Sequence, residues 1–121
     1  MIEQQPPVID ARQYSLVLSL IRNLPNNKVI KSVYAGIEQQ EGEDILGVWI
    51  LTKPITSRQE GIIYSAAGRA LRNPGDYFIH ILNPNPKMYR VEGGLSLEDI
   101  ILAQIPQHAE LIALRARRSR F

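Results

Sequence analysis

Apolar residues recur along the chain with two different periods, and the change of period marks the elements. Tyr14, Val17, Leu18 and Ile21 repeat at helical spacing, and Leu16, Leu20 and Leu24 widen the stripe. Asp10 precedes this run and Gln13 follows three residues on, the spacing of a capping box. The pattern predicts a helix over 11–23, covered on more than one side and stopped by Pro25 and the Asn26-Asn27 turn. Residues 28–37 are β-branched and aromatic and read as a strand. Residues 38–44 are polar and contain Gly42, so they read as a loop or turn. Residues 45–53 are apolar on both faces, as in a central strand buried on two sides, with Trp49 in the core. Pro54 closes that strand.

The helical period returns at Ile63, Ala66, Ala67, Ala70 and Leu71, behind a second capping-box spacing, Ser57 to Glu60. This predicts a helix over 57–72. Gly61 and Gly68 inside it weaken the pattern or mark the close approach of a neighbour. Asn73-Pro74-Gly75-Asp76 is a turn, 77–82 a third strand, and Asn83-Pro84-Asn85-Pro86 its end. Met88–Val91 suggests a short edge strand. Gly93-Gly94 reads as a turn rather than an anion cradle, because no Lys-Ser or Lys-Thr follows. Ser96 caps a helix over 97–104, and Pro106 can open a last helix over 107–118 with Leu111, Ile112 and Leu114 on its apolar side. Helices alternating with three to four strands predict an α/β, or α+β, two-layer fold with a small mixed sheet. At 121 residues one domain is expected, spanning 10–110, with an extended arm over 1–9 and a basic C-terminal helix or tail over 111–121.

Charge separates the body from the tail. Of 14 basic and 12 acidic residues, Arg115, Arg117, Arg118 and Arg120 lie in the last eleven positions, which hold no acid. Such a cluster suits a solvated helix end, an acidic protein partner, or phosphate of a nucleic acid or lipid. The absence of cysteine excludes disulfides, thiolate metal sites and thiol nucleophiles. No apolar run approaches the roughly 20 residues of a membrane span, and the opening residues lack the basic and apolar regions of a signal peptide. A cytoplasmic location is the expectation.

Candidate chemistry is sparse. Walker, G-x-G-x-x-G, H-E-x-x-H and G-x-S-x-G motifs are all missing. Glu38, Glu41, Glu43 and Asp44 offer carboxylate oxygen to a hard cation, or form a solvated hairpin tip. His80 alternates with Phe78 and Leu82 on one strand face, either as a buried histidine held by one hydrogen bond or as a general base. Trp49, Tyr34 and Tyr64 read as core, with a ligand-facing role as the alternative.

Val33-Tyr34-Ala35-Gly36, then Asp44–Leu51, a helix, and Tyr77–Leu82 resemble the core of the minimal nucleotidyltransferases. That resemblance implies a nucleotide site using Gly36, Asp44 and His80. It is degenerate where the family keeps its chemistry: Ile37 stands in place of a serine, Leu46 in place of the second acid, and His80 or Ile81 in place of the third. Paired magnesium ions need several shared carboxylates, which Asp44 alone does not supply. The resemblance therefore implies a member without transferase activity. The sequence favours a non-enzymatic interaction or regulatory subunit, without a cofactor, that binds a protein partner or complex through its termini. The alternatives are a small nucleotide-binding or nucleotidyltransferase-like protein with Asp44 and His80 in its site, and a nucleic-acid binder acting through the arginines.

Overall fold

The computed structural model describes residues 8–25, 28–71, 77–87, 93–94 and 96–114. Their elements run α1 (Ala11–Asn23), β1 (Ile30–Gln40), β2 (Glu43–Thr52), α2 (Ser57–Leu71), β3 (Tyr77–Leu82), α3 (Leu97–Ala103) and β4 (Glu110–Leu114). The four strands form one mixed sheet in the order β3-β2-β1-β4. β1 is antiparallel to both β2 and β4, and β2 is parallel to β3 through the α2 crossover. The small α+β architecture expected from the sequence is thus the one observed. Among the described residues no helix is long and apolar enough to cross a membrane.

α1 starts where the Asp10 carboxylate accepts from the Gln13 N–H at 2.7 Å and the Gln13 side chain accepts from the Asp10 N–H at 2.9 Å. It stops at Leu24, whose backbone turns extended ahead of Pro25. α2 has its capping box one residue earlier than the sequence suggests. The Gln59 N–H donates to Thr56 Oγ1, and the Thr56 N–H donates to the Gln59 side chain. That shift releases Glu60 for another contact described below. The glycines of α2, Gly61 and Gly68, meet no described neighbour within 4 Å, so close approach does not explain them.

The sheet separates two apolar layers. On one face Val33, Ala35, Leu46, Val48, Ile50 and Ile79 pack against Val17, Leu20 and Leu24 of α1 and its exit, and against Ile63, Ala67 and Leu71 of α2. On the other face Trp49 and Leu82 pack with Ile101 of α3, joined by Tyr34, Leu51, Leu97, Ile105 and Ala109. This explains why residues 45–51 are apolar throughout: β2 lies between β1 and β3 and is covered from both sides.

Three expectations are corrected. The polar stretch 38–44 is not a loop; only Glu41-Gly42 turn, and Gln40 pairs with Glu43. Both turn residues have positive φ, 53° and 83°, which matches the twist of a two-residue hairpin and places Glu41 in a conformation that favours glycine or asparagine. The helix expected over 107–118 is absent over its described part, where Glu110–Leu114 pairs with β1 as β4. Residues 111–114 therefore belong to the sheet rather than to a separate tail. Residues 1–7 of the arm expected over 1–9, the Asn26-Asn27 and Asn73–Asp76 turns, the Met88–Val91 strand and residues 115–121 with all four tail arginines lie outside the described residues.

Candidate functional site

The α3 side of the sheet carries a cross-strand glycine pair, Gly36 on β1 opposite Gly47 on β2. Neither leaves a void. The His108 ring lies over Gly36, where a Cβ would come within 3.2 Å of it, and His108 Nε2 donates to the Ile37 carbonyl at 2.7 Å. Over Gly47 pass the Glu38 carboxylate and the edge of the Trp49 indole. Glu38 sits on β1 and His80 on β3, with β2 between them, a span of about 10 Å between backbones. The missing side chain at Gly47 lets the Glu38 carboxylate cross β2. It then meets His80, with Oε2 2.7 Å from Nε2.

Each Glu38 oxygen has a partner. Oε1 accepts from the Gln40 side-chain amide at 3.0 Å, and Oε2 faces the imidazole. A carboxylate only accepts, so the proton of this contact resides on His80 Nε2. Nδ1 has no hydrogen bond among the described residues. Trp49, directly across from His80 in the β2–β3 register, stacks on the imidazole at 5.0 Å and 6°. Phe78, two residues back on β3, lies 4.6 Å away at a tilt of 31°. The imidazole is therefore fixed by a carboxylate at one edge and by two aromatic neighbours. It remains 28% exposed while Glu38 is 16% exposed, and Phe78 is 46% exposed beside it.

The residues proposed from the sequence do not all meet here. Gly36 and His80 share the α3 face. Asp44 does not: side chains alternate along β2, so Asp44 falls on the face of Leu46 and Val48, where the Gln39 amide donates to it at 2.9 Å. A site combining Asp44 with His80 is thereby corrected, and Glu38 is the acid that reaches the histidine. The hard-cation reading of Glu38, Glu41, Glu43 and Asp44 fares no better, since no three metal-ligating side chains converge among the described residues. Trp49 is core, 3% exposed. Tyr64 on α2 is half-exposed and lines an open groove of about 270 Å³ with Gly68, Tyr77, Phe78 and Ile79. Burial, and then the Glu60 charge, push its hydroxyl above the usual phenol range, against an opposing hydrogen bond from the Ile81 backbone.

The Glu38–His80 pair was legible only indirectly. Glycine weakens a strand and often marks the close approach of another group. Gly47 inside an otherwise apolar strand was that signal. Its replacement tests the geometry. A Cβ at position 47 would fall 2.6 Å from the Trp49 ring and 3.0 Å from the Glu38 carboxyl carbon. Gly47→Ala should destabilise the fold by about 1–3 kcal/mol through overpacking. It should also displace Glu38, seen as a changed His80 imidazole spectrum by NMR. An unchanged spectrum at unchanged stability would show that the carboxylate does not cross there.

No protein-family model, curated protein or solved structure matches this chain.

Proposed function

We propose that the protein is a binding module rather than a nucleotide-transferring enzyme, and that it takes a protein partner on the α3 side of the sheet around Phe78 and His80. One observation carries this reading: a histidine held rigidly by Glu38 keeps a ring nitrogen available next to a half-exposed phenylalanine. Fixing the imidazole in advance lowers the ordering cost of any contact it makes. An aromatic side chain left on the surface of a sheet beside a polar group is the composition of a recognition patch. The four arginines beyond β4 fit the same reading as a second, charge-based contact with the partner.

The test is capture of the native partner by the full chain and by two variants, Phe78→Ala and the combined alanine replacement of Arg115, Arg117, Arg118 and Arg120. Phe78→Ala should lose most of the captured partner with a small change in unfolding midpoint, because the ring is 46% exposed. The arginine variant should weaken capture and remove much of its salt dependence. Undiminished capture of the same partner by Phe78→Ala would place the interface elsewhere.

A further inference from the structure

We infer that the partner received at Phe78 is a second copy of this chain, its β3 running antiparallel along the open edge of β3 so that Phe78 faces Phe78 across a two-fold axis; the inference rests on the binding-module reading and names its partner. β3 ends the described sheet, with β2 on one side only. Natural sheets blunt such an edge with charge, proline or a bulge. The other edge is blunted: β4 opens on Glu110, and its ladder with β1 breaks register between Val33 and Tyr34. β3 has none of these devices. Tyr77–Leu82 holds no charged residue, proline or glycine, and its register with β2 is unbroken. The strand can therefore lie against its own copy without opposing like charges.

The backbone sets the register. Leu82 turns its carbonyl toward β2, 3.5 Å from Thr52 Oγ1. Neighbouring Ile81 faces the other way, and its N–H donates to the Tyr64 hydroxyl. Backbone groups alternate in direction along a strand, so Tyr77 and Ile79 also turn N–H and C=O outward. Neither has a hydrogen-bond partner on that side among the described residues. An axis at Phe78 sets Tyr77 of each copy opposite Ile79 of the other, where each pair exchanges both of its N–H···O bonds. A register shifted toward Ile81 would have to displace the Tyr64 hydroxyl. Phe78, 46% exposed, forms the non-hydrogen-bonded pair between them, with Cα atoms about 4.5 Å apart and side chains in contact. Two exposed rings then cover each other beside His80.

The test reads self-association of the full chain. Sedimentation of the unaltered protein over a range of concentrations should show a monomer–dimer equilibrium. Phe78→Lys sets like charges opposite each other at an exposed position, so it should be monomeric throughout that range with an unchanged circular dichroism spectrum. Two further readouts locate the contact. In the unaltered protein, amide exchange at Tyr77 and Ile79 should slow as concentration rises. Exchange at Phe78 and His80, whose amides face β2, and at Ile81, held by Tyr64, should stay constant. No variant has to fold for that measurement. The chain has no cysteine, so Phe78→Cys carries a single thiol per copy and should form an intermolecular disulfide on oxidation far faster than the exposed control Tyr14→Cys. A protein monomeric at every concentration, with partner capture lost in Phe78→Ala, would overturn the second-copy inference and leave a different protein on the same surface. A dimer unaffected by Phe78→Lys, or exchange at Tyr77 and Ile79 that does not depend on concentration, would also overturn it. A monomer whose partner capture is undiminished in Phe78→Ala would overturn both readings.

Discussion

Trp49→Ala should cost this protein about 3–5 kcal/mol of folding stability, the range for truncating a large buried aromatic side chain. Trp49 is 3% exposed and belongs to the smaller core with Leu82 and Ile101. That core joins α3 to the sheet. Glu38 lies on the Gly47 side, and His80 stacks flat on the indole. The loss should therefore be local before it is global. Hydrogen exchange should show α3 opening more readily in the variant, while α1 and α2, on the opposite face, keep their relative protection. Trp49→Phe, which retains a ring for the His80 stack, should recover more than half of the loss in a urea titration. As the only tryptophan in the chain, Trp49 should also emit as a buried indole in the native protein and shift red on unfolding. A native emission already typical of solvent, with an alanine variant of unchanged midpoint, would place the indole outside the core.

The apolar pattern made the central strand legible because both of its faces are buried, and no alternation was needed to recognise it. Helices α1 and α2 were legible for a related reason: their stripes and caps are local, written within a few residues. β4 was not. Leu111-Ile112-Ala113-Leu114 suits a helix or a strand equally, and runs of four to five apolar residues do not distinguish the two by period. Pairing with Ser32–Ala35 decides the matter, and that pairing is 75 or more residues distant in sequence. The hairpin was misread for a different reason. Polarity suggests a loop there, although Glu38 and Gln40 are strand residues: Gln40 pairs with Glu43 of β2, and the Glu38 carboxylate reaches His80 of β3. The same misreading hid the acid of the candidate site. Glu38 and His80 are 42 positions apart and are separated in space by a whole strand. Only the strand order and a glycine in the intervening strand bring them together.

Asn83 should prove as sensitive as Trp49, although it is polar and lies in a connecting segment. It is fully buried, at 0% exposure, where β3 ends. Its side chain closes a two-way contact with the backbone of Ile55 in the β2–α2 connection, accepting from the N–H at 3.0 Å and donating to the carbonyl at 2.9 Å. The same amide donates to Glu60 at 2.6 Å, a contact made available because Thr56 and Gln59, not Ser57 and Glu60, form the cap of α2. Asn85 adds a second donor to the Ile55 carbonyl at 2.7 Å. In Asn83→Ala that carbonyl keeps Asn85, while the buried Ile55 N–H loses this acceptor. An unsatisfied buried donor and the space left by the amide together predict a loss of about 2–4 kcal/mol. Asn83→Asp has nearly the same shape and should be worse at neutral pH, by about 3–5 kcal/mol, because a carboxylate would face both the Ile55 carbonyl and the Glu60 carboxylate. The sign of its pH dependence follows. Two carboxylates in contact hold a proton more tightly in the folded state than in the unfolded chain. The folded aspartate variant therefore gains stability as pH falls and the pair takes up that proton, and loses it as pH rises. Urea unfolding at pH 7 and pH 5 should show the gap between Asn83→Asp and Asn83→Ala narrowing on acidification. A gap that widens, or an aspartate variant as stable as the parent at neutral pH, would mean that Asn83 does not hold Ile55 and Glu60 together.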